Sequence, residues 1–221
     1  MLSPVNLIIT FLLIVIAITI HEFSHALVAR RLGDTTAQRM GRLSLNPIVH
    51  LDPLGTLMIL ISSLSGFGIG WGKPCPVSPW NLRPRGRVGM AIVAAGGPVS
   101  NFLLATVLAL VLRLVPGLQG GIQFLLVRAM ILNVGLTAFN LLPLPMLDGF
   151  HILMGLIASI RANWAYSLGD QLARIEPHGP MILLILVMLG GVMRGGPSPL
   201  TLLVTPVFNL LARVISLVAG M

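Results

Sequence analysis

His21, Glu22 and His25 spell a His-Glu-x-x-His motif inside the apolar stretch ITFLLIVIAITIHEFSHALVA. On an α-helix, two histidines four positions apart project from one face. There they can share a Zn²⁺ ion, while the glutamate between them can act as a base toward a water at that ion. A charged residue near the middle of a membrane helix costs roughly 2.5 to 3.5 kcal/mol on insertion scales, so Glu22 needs a compensating partner. Metal and water would provide one; polar groups on neighbouring helices are the alternative. The motif therefore points to water-consuming chemistry in a membrane.

Composition supports the membrane setting. The chain has 221 residues, of which 56% are hydrophobic and 9% charged, with a mean hydropathy of +0.96. That is too apolar for an ordinary soluble domain. The length suits one membrane-embedded domain over 1–221, and no linker, charged tail or internal repeat divides it. A net charge of +8 does not imply nucleic acid, because the basic residues, all but Lys73 arginines, are scattered through short loops and helix ends. Such a distribution reads as membrane topology and attraction to anionic headgroups. Cys75 is the only cysteine, which excludes an intrachain disulfide. The apolar run from Leu7 to Ile20 lacks a basic leader and is followed by His-Glu rather than a small-residue cleavage site, so it is expected to remain as a helix.

The motif needs elements to position it. A spanning helix takes about 20 mostly apolar residues, and four segments meet this: Pro4 to Arg31, Val88 to Val115, Ile122 to Leu142 and Leu200 to Ala219. Pro180 to Val192 is shorter but can span a thinned bilayer. Leu54 to Gly70 is apolar only in its first part. His21 lies near the end of its helix that carries Arg30 and Arg31, which puts the site toward the arginine-rich, cytoplasmic side. The basic loop Lys73 to Arg87 belongs on that same side, so Leu54 to Gly70 is expected to be re-entrant or interfacial rather than a full crossing. The fold expected is an all-α polytopic membrane protein of five to six membrane helices. A short membrane-associated β element is expected at AQRMGRLSLNP, where partial alternation precedes a turn and an exposed edge could pair with an extended peptide. Asp148 to His178 reads as one or two interfacial helices ending near Pro177.

On this topology the helix from Ile122 returns to the cytoplasmic side and delivers Asp148 to the level of His21 and His25. Catalytic zinc commonly takes three protein ligands and keeps one position for water. The acidic residues are Glu22, Asp34, Asp52, Asp148, Asp170 and Glu176, and Asp148 is the best placed. Its alternative role is to cap the helix that begins at GFHILMGLI, and His151, one turn later, is a rival ligand. Gly96 and Gly97 allow close helix approach, while Pro143 and Pro145 break the helix ahead of Asp148. His50, Asp52 and His178 read as structural or interfacial, and Trp71, Trp80 and Trp164 suit the headgroup level.

HEFSH (His21 to His25), GGPVSN (Gly96 to Asn101) and NLLPLPMLDG (Asn140 to Gly149) occur in that order on membrane helices, with GRLSLNPIVHLDPLGT and GWGKPCPVSPWNLR between the first two. Together they resemble the site-2 protease family of intramembrane zinc metalloproteases over nearly the whole chain, and specifically compact members without a PDZ or CBS domain. The resemblance implies that His21, His25 and Asp148 bind one Zn²⁺ and that Glu22 is the general base. It also nominates Asn140 as a catalytic side-chain amide, though an amide there can equally hold helices together. Asn101 shares that ambiguity. The implied activity is that of a zinc-dependent metalloendopeptidase cutting membrane proteins in or near their transmembrane segments, with a multi-pass cell-membrane location. A separate regulatory or adaptor protein is a possible further partner. The competing class is a metal transporter or non-catalytic metal-binding scaffold, which would not require a base between the two histidines.

Overall fold

The computed structural model describes residues 4–65, 70–115, 117–192 and 197–220, and among these it is helical with no strand. In chain order the helices are α1 (Pro4–Arg31), α2 (Thr36–Arg39), α3 (Pro53–Ser65), α4 (Arg87–Leu114), α5 (Gly120–Asn140), α6 (Asp148–Ser159), α7 (Asn163–Ile175), α8 (Gly179–Val192) and α9 (Pro199–Ala219). Short 3₁₀ turns lie at Pro47–His50 and Glu176–His178. Five helical stretches are long and apolar enough to cross a membrane: α1, α4, α5, Asn163–Gly190 and α9. The protein is thus a multi-pass membrane protein.

Small residues mark the places where the spanning helices approach one another, while bulky side chains line their outer faces. On α1, Ala17, Ala26 and Ala29 are buried while Val5, Ile8, Leu12 and Ile16 stand exposed in a stripe. Lipid tails are as apolar as leucine, so burying leucine against another helix gains little there. Small side chains instead let backbones approach and gain dispersion contacts. Gly96 of α4 follows this rule, since a Cβ at that position would lie 3.0 Å from Val28 and 3.2 Å from the Ser24 carbonyl of α1. Farther along α4, Ala105 and Ala109 pack with Val134 of α5 and with Ile215 and Ala219 of α9. Thr137 of α5 donates its hydroxyl to the Pro98 carbonyl of α4 at 3.3 Å.

The expected β element at AQRMGRLSLNP is not formed. The Thr36 N–H donates to Asp34 Oδ1, which starts the helical turn of α2, and Gly41 at φ +71° closes it. There Arg42 N–H reaches the Ala37 carbonyl and Gly41 N–H the Gln38 carbonyl, the paired bonds of a Schellman ending. Asn46 then caps the 3₁₀ turn by accepting from Ile48 N–H. Local side-chain capping captured backbone groups that a strand would have left for pairing. Met40 and Leu45 of this stretch are exposed instead of contributing to a buried sheet face. The single isolated bridge among the described residues joins Leu51 to Gly72.

The segment Leu54 to Gly70 is taken up in its first part by α3, which begins at Pro53 and, at 13 described residues, is not among the spanning stretches. Residues 66–69 of that segment lie outside the described residues. After Asp148, α6 and α7 form, but α7 belongs to the spanning stretch Asn163–Gly190 instead of an interfacial pair, and Pro177 does not end the helical path. It occupies the start of the Glu176–His178 turn, where a missing N–H costs nothing, and α8 follows directly.

Candidate metal centre

Two helices from distant parts of the chain meet at the site. His21 and His25 lie on α1, both buried, and Asp148 is the first residue of α6. The Nε2 atom of His21 is 3.0 Å from Asp148 Oδ2, and that of His25 is 3.3 Å from Asp148 Oδ1. Tetrahedral donors bound about 2.0–2.1 Å from one ion sit roughly 3.4 Å from each other. The spacing therefore fits a single zinc held by two imidazoles and a carboxylate, and all three ligand atoms lie within 4.8 Å of one another.

Hydrogen bonding supports the same fit. His25 Nδ1–H donates to the Val93 carbonyl of α4 at 2.8 Å, which leaves Nε2 with its lone pair toward the cluster. Among the described residues Asp148 Oδ2 has no hydrogen-bond partner, despite its closeness to His21. Lone pairs thus converge on one buried point, an arrangement that a cation stabilises and that an apolar interior otherwise penalises.

The backbone before Asp148 explains how α6 is aimed. α5 ends at Asn140, and the turn that follows contains Pro143, Pro145 and Met146, the last at φ +82°. A positive φ is costly for a side chain of that size and persists only where the surroundings hold it. Gly149 lets the turn close, since a Cβ there would run into the Leu141 and Leu142 carbonyls. The residue at the N-cap of α6 is Leu147, with no side-chain cap bond, so Asp148 does not serve as the cap. Its carboxylate is directed to the histidines instead.

A cavity of about 270 Å³ surrounds the cluster and includes Glu22, Asn140 and His151 in its lining. Asn140 donates one amide hydrogen to the Leu136 carbonyl at 2.9 Å, and an amide nitrogen carries two. His151 lies at the cavity but outside the three-residue ligand group. Asn101 does not line the cavity; it is fully buried and neither amide atom has a protein partner among the described residues. His50 is buried and bonded through Nε2 to the Ser44 carbonyl at 2.7 Å, a structural role but not a solvated one. Asp52 accepts from Gly55 N–H at the start of α3.

Two contributors escaped the sequence reading. Gly97, which reads as a helix-approach residue, lies directly against the imidazoles: a Cβ on it would collide with ring atoms of both His21 and His25. Its place one residue after Gly96 in a GGP run was the available signal, but only the packed helices show which glycine faces which neighbour. The second is the extended stretch from Gly70 to Val77. Trp71, Gly72 and Cys75 line the cavity, so Trp71 is a wall of the site. Burial, with Glu22 adding to it, pushes the Cys75 thiol up to about 12, so this residue sits there as a neutral thiol.

Comparison with known proteins gives a consistent picture. The profile of Peptidase family M50 matches residues 117–186. The chain is 38% identical over 183 residues to "Putative zinc metalloprotease YwhC" of Bacillus subtilis (strain 168), covering 78% of this chain and 77% of that protein. It is 32% identical over 163 residues to "Putative zinc metalloprotease Rip2" of Mycolicibacterium smegmatis (strain ATCC 700084 / mc(2)155), covering 69% of this chain and 60% of that protein. No solved structure matches.

Proposed function

The chain belongs to peptidase family M50, the site-2 protease family, and from that premise we propose that it is an intramembrane zinc metalloendopeptidase with His21, His25 and Asp148 as the metal ligands. The observation that carries this reading is the meeting of those three side chains on one point, with Glu22 in the same cavity, among helices apolar enough to span a bilayer. A zinc ion would be held there by His21, His25 and Asp148, and would supply Lewis-acid chemistry for peptide hydrolysis.

The protein's own groups do the remaining work. Glu22 takes a proton from the attacking water on a carboxylate oxygen and later delivers it to the leaving nitrogen. Asn140, with one amide hydrogen not used by Leu136, donates toward the carbonyl oxygen as negative charge builds on it. Val93 fixes the His25 ring so that Nε2 faces Asp148, and Gly97 leaves room for both rings. The substrate is a membrane protein whose transmembrane segment must unwind locally, because a helix keeps its peptide groups in its own hydrogen bonds.

The site lies toward the cytoplasmic side, since Arg30 and Arg31 close the helix that bears the histidines. In this reading 1–221 acts as one domain, α3 is re-entrant or interfacial, and substrate selection rests on the membrane core or on a separate regulatory or adaptor protein. A metal transporter is not favoured: the ligands gather at one level, and Glu22 between the histidines serves hydrolysis rather than simple coordination.

The test is cleavage of a reconstituted membrane-spanning substrate by wild type and Glu22→Gln, with zinc content measured on both. Loss of a general base lowers turnover by about 10² to 10⁴-fold, and zinc is expected to stay bound. Cleavage at the wild-type rate by a zinc-loaded Glu22→Gln protein would overturn the mechanism.

A further inference from the structure

A second cavity, of about 340 Å³, opens where α1 ends and α4 begins, apart from the metal centre. Its lining includes Arg39, Arg83 and Arg85 together with Trp80, Thr35 and Asn81. The position is fixed by the backbone: Arg83 N–H donates to the Leu32 carbonyl at 2.8 Å, one residue beyond α1, and Arg85 lies two residues before α4. Both helices are spanning stretches, so the cavity stands at the membrane surface, at headgroup depth.

Three features distinguish it from arginines that merely set topology. Among the described residues, no ion pair or side-chain hydrogen bond engages any of the three guanidinium groups. No acidic side chain lines the cavity among those residues. Asp34, between the lining residues Gly33 and Thr35, is buried and already accepts from Thr36, Ser78 and Asn81. Three cations sharing one polar cavity repel one another until an anion joins them. Arginine's planar fork suits the paired oxygens of a phosphate. Trp80, 79% exposed beside them, offers the apolar ring and polar N–H that favour the lipid headgroup region.

We propose that the cavity formed by Arg39, Arg83, Arg85 and Trp80 is a phosphate-binding site occupied by the headgroup of an anionic phospholipid. Membrane depth selects lipid as the source, and the chemistry recognised is the phosphate oxyanion itself. Each arginine near an anionic surface strengthens binding roughly fivefold, so removing all three weakens it by about a hundredfold.

The experiment uses the full chain in phosphatidylcholine nanodiscs with graded phosphatidylglycerol, counting retained phosphatidylglycerol by native mass spectrometry. The variants are R39Q/R83Q/R85Q, the single Arg85→Gln, and R30Q/R31Q as a control for arginines at the same surface outside the cavity. Thermal unfolding and zinc content check that each variant is folded, and the single substitution carries the test if the triple variant is not. The expected result is one tightly held phosphatidylglycerol in wild type, lost from the triple variant, weakened about fivefold in Arg85→Gln and kept in the control. Displacement of that lipid by millimolar inorganic phosphate would support the oxyanion site with free phosphate as an alternative source; failure of phosphate to displace it would support lipid. Equal retention in wild type and triple variant, or equal loss in the control, would overturn the proposal.

Discussion

Asp34 and Asp148 are both withdrawn from solvent, and the protein treats them in opposite ways. Asp34 is fully buried and satisfied: it accepts from Thr36 N–H at 3.0 Å, the Thr36 hydroxyl at 2.5 Å, Ser78 N–H at 2.7 Å and Asn81 Nδ2 at 3.2 Å. Asp148 faces two imidazole nitrogens, and its Oδ2 has no hydrogen-bond partner among the described residues. A buried carboxylate surrounded by N–H and O–H donors is a structural tie, here joining the end of α1 to the loop before α4. One surrounded by lone pairs calls for a cation. Residue type alone does not separate these roles; the neighbours do.

The comparison breaks if the two acids respond alike to substitution. Asp148→Asn should show the larger effect, with zinc affinity falling by more than the tenfold to hundredfold that follows loss of a group outside the ligand set. Equilibrium dialysis against a zinc buffer measures it, and unchanged affinity would turn attention to His151. Gly97→Ala comes next, because its methyl group would enter the space of both rings. Overpacking typically costs about 1–3 kcal/mol, and the penalty is expected as weaker zinc binding with expression and membrane insertion retained. A variant with wild-type zinc affinity would show that the rings can move aside.

Asp34→Ala should leave zinc stoichiometry intact while lowering stability, because it strands buried donors at about 1–3 kcal/mol. Unfolding in mild detergent with parallel metal analysis separates the two readouts; concurrent zinc loss would mean the surface tie and the metal centre are coupled. The smallest effect is in pH. Burial pushes Asp34 up, but the hydrogen bonds from Thr36, Ser78 and Asn81 outweigh it and hold the carboxyl below its usual range. A lowered folded value means that its stabilisation is fully present above the unfolded value of about 3.9 and fades as pH falls from there through the lower folded value. Acid unfolding of wild type should therefore steepen below about pH 4 relative to Asp34→Ala. Parallel curves would remove Asp34 from the acid response.

Much of the architecture was legible because it rests on local chemistry. Predicted spans at Pro4 to Arg31, Val88 to Val115, Ile122 to Leu142 and Leu200 to Ala219 lie within two residues of α1, α4, α5 and α9, since hydrocarbon thickness dictates an apolar run of nearly fixed length. The surface segments were harder. Alternation at AQRMGRLSLNP suggested a strand, but capping by Asp34 and Asn46 decided otherwise, and the stretch that borders the metal cavity is Gly70 to Val77. Within the centre, Gly97 and Val93 act through direction and contact, which residue identity does not reveal.

The sequence by itself determined the two-histidine face of α1, the glutamate beside it and the membrane setting, because i to i+4 spacing and apolar length are properties of one helix. Only the tertiary structure decided how Asp148 closes that face and Gly97 admits the rings, and how Asp34 becomes a tie instead of a ligand. Those outcomes depend on where separate helices and loops meet, down to a backbone turn at Met146 and the donors around each carboxylate.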